Sequence, residues 1–257
     1  MHDTATIVNI KTAPAGRGLD WLVDGFTIFW KNWLAWIGVT VFLIILYLLS
    51  NLVPVLGTII LQLIFPVLMG GLMSGCRAAD QNSGFTFTHI FSGFSTNFSQ
   101  LLVVGVVYLS GMVVIMAICG VMIIATIGSM ESMMEMITSI QDAVTQNDLN
   151  RLFELIAPIA LNILLVTLTG LALYIPLLVL VWFAPALIVL ENMGAMTAMK
   201  ASFTGCLKNF IPYLVYGVIG LIFSFIASIP LGLGWLVLIP MTIASVYLAY
   251  KDIYQKQ

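Results

Sequence analysis

The chain has 257 residues, of which 61% are hydrophobic and only 8% are charged. Soluble domains carry roughly 25% charged residues because their surface faces water, so this composition excludes a soluble enzyme and a disordered chain. The formal net charge of -2 comes with no basic patch that would indicate nucleic acid as a partner, and the three cysteines are widely spaced, which indicates neither a disulfide scaffold nor a zinc site. An integral membrane protein remains.

Long uncharged segments predict the membrane spans. Asp, Glu, Lys and Arg are missing from 32–76, 81–130, 155–190 and 209–250. Each segment has room for one or two spans, since a span needs about 20 mostly apolar residues. The apolar runs are continuous rather than alternating, which favours helices over a β-barrel. We therefore predict an all-α polytopic protein with six transmembrane helices, at 33–53, 55–75, 100–128, 158–190, 210–229 and 233–250.

Local signals predict where some helices bend or begin. The fourth predicted span is longer than a bilayer core of about 30 Å requires, so we expect either that Pro176 and Pro185 kink it or that it protrudes from the membrane. Tight turns are expected at 52–57 and 228–234, where proline and glycine interrupt the apolar runs. Thr86 or Thr88 is expected to cap the short helix before the third span.

The cations predict the orientation, because Lys and Arg of short loops stay on the cytoplasmic side of a membrane. If the chain crosses the membrane six times, eight of its nine Lys and Arg residues, all except Arg151, lie on one side. Both termini are therefore predicted to be cytoplasmic. The chain is expected to form a single integral membrane domain, 1–257, with a cytoplasmic tail at 1–18 and an acidic, amphipathic periplasmic segment at 129–157.

The periplasmic segment contains a methionine-rich run, MESMMEM. Thioether sulfur is a soft ligand suited to Cu(I). The same methionines also belong to an apolar stripe at helical spacing, which we favour because Met fills apolar surfaces readily. Its members are Met130, Met133, Met134, Ile137, Ile140 and Val144. No metal or cofactor is therefore predicted, and the stripe could lie on the membrane, cover the bundle or dock a partner helix.

A short motif occurs three times, each time before an odd-numbered span. It has Phe six residues before Asn, followed by an aromatic residue: Phe26, Asn32 and Trp33; Phe91, Asn97 and Phe98; Phe203, Asn209 and Phe210. Amphipathic patterns accompany the motif, so we predict three hairpins, each preceded by an interfacial amphipathic helix. The apolar face of the first helix comprises Leu19, Leu22, Val23, Phe26, Phe29, Trp30 and Trp33. Candidate contacts with lipid or a partner are Phe26, Asn32, Trp33, His89, Phe91, Asn97, Phe203 and Asn209.

Catalytic chemistry is not indicated, and no catalytic residue is predicted. His89 lies on an interfacial segment, where packing or a headgroup contact is the favoured role over catalysis. The span interiors contain no ionisable residue, which disfavours proton-coupled transport. Glu191 follows the fourth span and is expected to form a cytoplasmic ion pair. The cations available to it are Arg77, Lys200 and Lys208.

Several apolar runs carry a resemblance that covers most of the chain. They are the amphipathic segment 18–33, the LVPVLG turn, PVLMGGLMSGCRA from Pro66, THIFSGF from Thr88, and WFAPALIVLEN from Trp182 with the later Lys208-Asn209-Phe210. These runs resemble a family of uncharacterised proteobacterial multi-pass inner-membrane proteins and, more distantly, the membrane domain of some glycerophosphodiester phosphodiesterases. The resemblance implies a location in the bacterial inner membrane and a fold without an established activity. Mitochondrial solute carriers are similar in topology only, since the charges that their motif places after a kink proline are missing after Pro66 and Pro240.

The favoured function is a non-catalytic scaffold or accessory subunit that binds membrane lipids or another integral membrane protein. A transporter of a hydrophobic or uncharged small solute is the first alternative, suggested by the parallel repeats and kink prolines. A membrane-embedded enzyme is the second, and it would require His89, Glu191 and Arg77 to lie together. Nucleic acid is not an expected partner, and the oligomeric state is left open.

Overall fold

A computed structural model describes residues 9–128 and 130–255, and the secondary structure in those ranges is entirely helical. Most of the predicted tail (1–8), Ser129 and the C-terminal residues including Lys256 lie outside the described residues. Six helical stretches are long and apolar enough to span a membrane, which confirms the predicted all-α polytopic class. They are Trp33–Ser50, Pro54–Asp80, Phe98–Ala125, Leu149–Glu191, Phe210–Ser228 and Trp235–Tyr254.

Eleven α-helices and one 3-10 helix form the described part of the chain. In order they are α1 Arg17–Lys31, α2 Trp33–Ser50, α3 Pro54–Asp80, the 3-10 helix Phe87–Phe91, α4 Ser92–Ser95, α5 Phe98–Ile127, α6 Met130–Thr145, α7 Leu149–Trp182, α8 Ala184–Glu191, α9 Ala195–Lys208, α10 Phe210–Ser228 and α11 Trp235–Tyr254. The segments before α2, α5 and α10 are termed the lead segments. The first and third are single helices, α1 and α9. The second is shorter than predicted, a 3-10 helix followed by the one-turn α4.

The fourth span differs from its prediction at one end. Pro158, the expected first residue, lies inside α7, which begins nine residues earlier at Leu149. Asp148 explains the earlier start, because its Oδ1 accepts the N–H of Arg151 at 3.0 Å and so caps the helix. At the other end the helix breaks at Phe183, and Pro185 lies in the first turn of α8. The break expected at Pro185 is therefore present.

The predicted outer segment, 129–157, is divided by this early helix start. Helix α6 ends at Thr145, Asn147 adopts a left-handed conformation with φ of 55°, and the remainder belongs to α7. Among the described side chains of α6, Met134, Ile137 and Val144 are exposed. Much of the predicted apolar stripe is therefore exposed. The membrane surface, the bundle and a partner helix remain the alternatives for what it contacts.

The chain forms two compact units, one of Met1–Leu109 with Val179–Gln257 and one of Ser110–Leu178. The first unit has a continuous apolar core in which Trp21, Trp36 and Tyr247 are almost fully buried. In the second unit, Leu177 packs beside Gly111 and the Cys119 thiol lies 4.0 Å from the Val166 carbonyl oxygen. The single integral domain remains a prediction.

Candidate functional site

The threefold motif lies at the beginnings of three span helices, with a left-handed backbone at Asn97 (φ 54°) but not at Asn32 or Asn209 (φ -139° and -113°). Asn32, Asn97 and Asn209 directly precede α2, α5 and α10, so the aromatic residue of each motif begins a span. Each asparagine carbonyl accepts the N–H of the fourth residue after it, at 3.1 to 3.2 Å, as an N-cap residue does. The asparagine carbonyl is thus the acceptor in all three motifs, and the respective donors are Trp36, Leu101 and Tyr213. The repeat thus corresponds to a structural element, termed here the Asn–aromatic junction.

Asn209 is the most deeply buried of the three asparagines, with only 1% of its surface exposed. Its Oδ1 accepts the N–H of Ala13 at 2.7 Å, and its Nδ2 donates to the carbonyls of Lys11 and Gly205 at 2.9 Å. The Lys11 N–H in turn donates to the Ile253 carbonyl at 2.9 Å. This junction therefore holds the segment before α1 against the beginning of α10 and the end of α11.

Asn97 connects the second lead segment to α8. Its Nδ2 donates to the Ile188 carbonyl at 2.8 Å and to Oδ1 of Asn192 at 3.1 Å. One turn later, Gln100 accepts the N–H of Ala195 through Oε1 at 2.8 Å, which satisfies a free amide at the start of α9. The second and third junctions therefore both connect segments that are distant in sequence.

Helix α1 has three faces, where the sequence predicted two. Its core face is buried and consists of Gly18, Trp21, Leu22, Gly25, Ile28 and Phe29. A second apolar face is exposed and consists of Leu19, Val23, Phe26 and Trp30. The third face is polar, with Asp20, Asp24, Thr27 and Lys31. The predicted single apolar face was wrong in this respect, because Leu22 and Phe29 pack inside the protein while Phe26 and Trp30 stack on each other outside it, with ring centroids 5.7 Å apart.

Two glycines allow the core face of α1 to lie against other backbones. A Cβ atom at Gly25 would come within 2.5 Å of the Met241 carbonyl oxygen, and one at Gly18 would lie 2.8 Å from the Tyr216 nitrogen. Small residues at such positions permit close helix packing in membrane proteins. Helix α1 is therefore an integral part of the first unit that also presents an apolar face outward.

The ends of α1, α3, α8 and α11 meet in a polar cluster, termed here the charged end. On one side, Asp252 accepts hydrogen bonds from Arg17 Nε and Trp21 Nε1, both at 2.7 Å. Asp20 and Asp24 lie 3.4 and 3.7 Å from Arg17 Nη1. Burial alone would lower the pKa of Arg17, but the hydrogen bond to Asp252 and the nearby carboxylates outweigh it, so this pKa is raised and Arg17 stays charged.

On the other side of the charged end, α11 is bonded to α3. Asp80 Oδ2 accepts Lys251 Nζ at 2.6 Å and the Tyr247 hydroxyl at 3.0 Å. The Tyr254 hydroxyl donates to the Ala201 carbonyl at 3.1 Å, which connects α11 to α9. Tyr247, Lys251 and Tyr254 thus connect one face of α11 to α3 and α9.

Glu191 has a different partner from those predicted. It accepts a hydrogen bond from the Tyr250 hydroxyl. Arg77 instead donates from Nη2 to the Leu190 carbonyl at 2.7 Å, one of the carbonyls left free at the end of α8. Lys200 lies exposed on α9. Within the described residues, no cation lies within 4.0 Å of the Glu191 carboxylate, so the predicted pairing is corrected to a tyrosine–carboxylate bond.

His89 closes the beginning of the second lead segment. Its Nδ1 lies 2.8 Å from Thr86 Oγ1 and accepts the Thr86 N–H at 3.0 Å, which forms a capping box and confirms Thr86 as a cap. In the described part of the chain, no hydrogen bond or ion pair joins His89 to Glu191 or Arg77. The observed role of His89 is therefore structural.

The predicted aromatic contacts divide by exposure. Phe26, Trp33 and Phe91 are between 42% and 48% exposed, and Phe203 is half-buried. Sequence reasoning singled out Glu191 and Arg77 at the charged end but missed its other members, Arg17, Asp80, Tyr247, Tyr250, Lys251 and Asp252. A usable signal was the run YLAYKDIY, where Tyr247, Tyr250 and Tyr254 recur at the spacing of one helical face.

Together, the six apolar helices and the helical fold define a multi-pass membrane protein. The chain is similar to a probable inner membrane protein of Burkholderia thailandensis, with 24% identity over 212 residues that cover 80% of this chain and 72% of the relative. No family model and no solved structure matches the chain. The resemblance to the membrane domain of glycerophosphodiester phosphodiesterases stays a prediction.

Proposed function

We propose that this chain is a non-catalytic scaffold or accessory subunit of a bacterial inner membrane that binds lipid or a membrane-protein partner. The observation that carries the proposal is the exposed apolar face of α1, which lies on a helix whose opposite face is locked into the core. Aromatic side chains at such positions favour the headgroup region of a bilayer. The similarity to a bacterial inner membrane protein supports the location.

The charged end supports a structural rather than a catalytic role. Asp80, Glu191 and Asp252 each accept hydrogen bonds from side chains of other helices. A carboxylate that acts as an acid or base must reach its substrate, whereas these carboxylates hold the helix ends together. The enzyme alternative therefore has no observation in its favour.

Mild detergent extraction tests the proposal. We expect the purified full chain to retain phospholipid, or a partner protein in fixed ratio, in native mass spectrometry. Replacing Phe26 and Trp30 with Gln should reduce that retention, whereas Thr27→Ala on the polar face of the same helix should not. A wild-type protein that is a clean, lipid-free monomer in mild detergent would overturn the proposal.

For the orientation, we propose that the charged end and both termini are cytoplasmic and that the residues around Asn147 are periplasmic. The support is that Lys and Arg accumulate on cytoplasmic loops and that eight of the nine here fall on one predicted side. In intact cells whose outer membrane has been made permeable, Asn147→Cys should react with an impermeant maleimide, and Thr204→Cys should react only after lysis. The reverse pattern contradicts this orientation.

A transporter of a hydrophobic or uncharged solute is the second candidate. It is favoured by prolines inside three span helices, Pro66 in α3, Pro158 and Pro176 in α7 and Pro240 in α11, since such prolines kink helices. The fully buried Leu72 distinguishes the two functions. A Leu72→Cys variant should resist a water-soluble maleimide in a scaffold, whereas labelling would indicate a water-filled path and favour the transporter.

A further inference from the structure

Helix α9 repeats the three-faced arrangement of α1. Its buried face consists of Ala195, Ala198, Met199, Ser202, Gly205 and Cys206. Met196 and Leu207 form an exposed apolar edge, with 59% and 57% of their surfaces exposed. Successive residues are rotated by about 100° around a helix axis. In both α1 and α9, the exposed apolar face therefore lies about 120° around the axis from the core face, in the same direction. The polar face lies beyond it. The core, apolar and polar faces therefore follow the same order around the axes of the two helices.

The charges on these two matching faces differ. The polar face of α1 carries Asp20 and Asp24, which lie beside Arg17. The polar face of α9 carries Lys200 and Lys208, both exposed, and the sequence from 192 to 251 contains no Asp or Glu. In the described residues no carboxylate lies within 4.0 Å of either lysine. The outer face of α9 is thus cationic and uncompensated.

We propose that this outer face of α9 binds anionic phospholipid headgroups. Lys200 and Lys208 contact the phosphates, and Met196, Leu207 and the first residue of α10, Phe210, contact the acyl chains. The lysines are about 12 Å apart along the helix axis, so each contacts a separate phosphate. This inference rests on the proposed function, because it requires the lead segments to lie at the membrane surface.

The arrangement of the exposed residues favours a lipid over an acidic protein. Each lysine lies within one helical turn of an exposed apolar side chain, Met196 for Lys200 and Leu207 for Lys208. A bilayer interface offers anionic phosphate and hydrocarbon at adjacent depths, and long cationic side chains reach the phosphates while their methylene groups stay among apolar atoms. Basic residues near an anionic membrane surface each strengthen attachment severalfold.

The test compares retained lipids in native mass spectrometry. Full-length protein is exposed to equimolar phosphatidylglycerol and phosphatidylcholine in mild detergent. We expect wild type to prefer phosphatidylglycerol, and the double variant Lys200→Gln/Lys208→Gln to lose about tenfold of that preference. The charge-matched control, Lys11→Gln/Arg151→Gln, removes two other cations and should keep the preference. Lys200→Arg/Lys208→Arg should also keep it, and circular dichroism checks that every variant folds.

The outcomes separate this inference from the function on which it rests. If wild type retains both lipids equally, or the Lys-to-Gln variant keeps the preference, the headgroup site is refuted while the scaffold proposal stands. If wild type retains neither lipid nor partner, the scaffold proposal fails as well. If the two lysines instead govern retention of an acidic protein, the lipid assignment is overturned in favour of a protein contact.

Discussion

The polar side chains inside the two units of this protein form different kinds of hydrogen bond. In the unit of Met1–Leu109 with Val179–Gln257, polar side chains such as Asn209 and Asp80 join helices far apart in sequence. In the unit of Ser110–Leu178, the side chains of Thr138, Thr145 and Asn162 donate to carbonyls of their own helices. The first unit therefore gains specificity from its polar pairs, while these bonds in the second add nothing between helices.

The second unit also exposes much of its apolar surface. Large apolar side chains are exposed along its helices, including Val113, Val121, Ile124, Leu161, Ile163 and Leu168. A helix in lipid satisfies its backbone internally, so such a helix needs few bonds to its neighbours. We therefore expect substitutions inside the first unit to cost more stability than equivalent ones in the second.

The largest difference is expected at a pair of glycines. Gly25→Ala places a Cβ against the Met241 carbonyl oxygen, which is backbone and cannot move aside. We expect the free energy of unfolding to fall by about 3 kcal/mol. Gly111→Ala in the second unit meets the flexible end of Leu177 and gains helix propensity, so it should change stability by less than about 1 kcal/mol. Detergent-titrated unfolding followed by circular dichroism measures both, and equal losses would contradict the contrast.

A pair of asparagines sharpens the comparison. Asn209→Ala removes two hydrogen bonds to the segment before α1, at Lys11 and Ala13, and one local bond to Gly205 of α9, and we expect a loss of about 2 kcal/mol. Asn162→Ala removes one bond to the carbonyl of Pro158 on its own helix and should be close to neutral. Trypsin gives an independent measurement, because releasing the segment around Lys11 should accelerate cleavage there only in the Asn209 variant. Unchanged cleavage would mean that Asn209 does not hold this segment.

Local physics explains which parts of the fold could be predicted. The length of an apolar run determines whether it can span a membrane, so six spans followed from composition alone. The threefold motif and the Thr86 cap were also predictable, since a cap depends on residues within one turn. The fourth span was predicted to begin at Pro158, within the uncharged run 155–190, whereas α7 begins further upstream, where Asp148 caps it.

Long-range contacts explain what the sequence could not show. Tyr250 and Glu191 are 59 positions apart, and nothing near Glu191 indicates that a tyrosine of α11 would reach it before a lysine does. Helical periodicity identified the apolar side of α1, but it does not distinguish residues that face protein from residues that face lipid, because both are apolar. That Phe29 is buried and Phe26 is exposed therefore could be seen only once the helices that pack against α1 were known.

A smaller effect is expected at the ion pair between Asp80 and Lys251, whose side chains are 29% and 33% exposed. A double-mutant cycle with Asp80→Asn and Lys251→Gln should give a coupling of about 1 kcal/mol that decreases with added salt. A cycle pairing Asp80→Asn with Lys200→Gln is the control and should give almost none. The second unit has no ion pair among its described residues, so a missing Asp80 coupling would remove one distinction between the units.

The smallest effect concerns the reactivity of a thiol rather than stability. Burial raises the pKa of Cys206 to about 12, although the hydrogen bond with Ser202 opposes the shift. Only the thiolate reacts with maleimide, so the lower thiolate fraction alone should make Cys206 react more than about a thousandfold more slowly than an exposed cysteine at pH 7.5. Its rate should still rise up to about pH 12, whereas an exposed thiol levels off above its ordinary pKa of about 8.5.

The experiment uses a background with Cys76→Ala and Cys119→Ala, so that Cys206 is the only cysteine. The control is Thr204→Cys on the exposed face of the same helix, with Cys206→Ala. Because the unfolded thiol ionises at a lower pH than the buried one, the stabilisation linked to the protonated Cys206 is fully present below about pH 8.5 and decreases as the pH rises from there to about 12. If the reaction rate of Cys206 stops rising at the same pH as that of the Thr204→Cys control, water reaches the core at Cys206. That result would contradict tight packing of the first unit at α9.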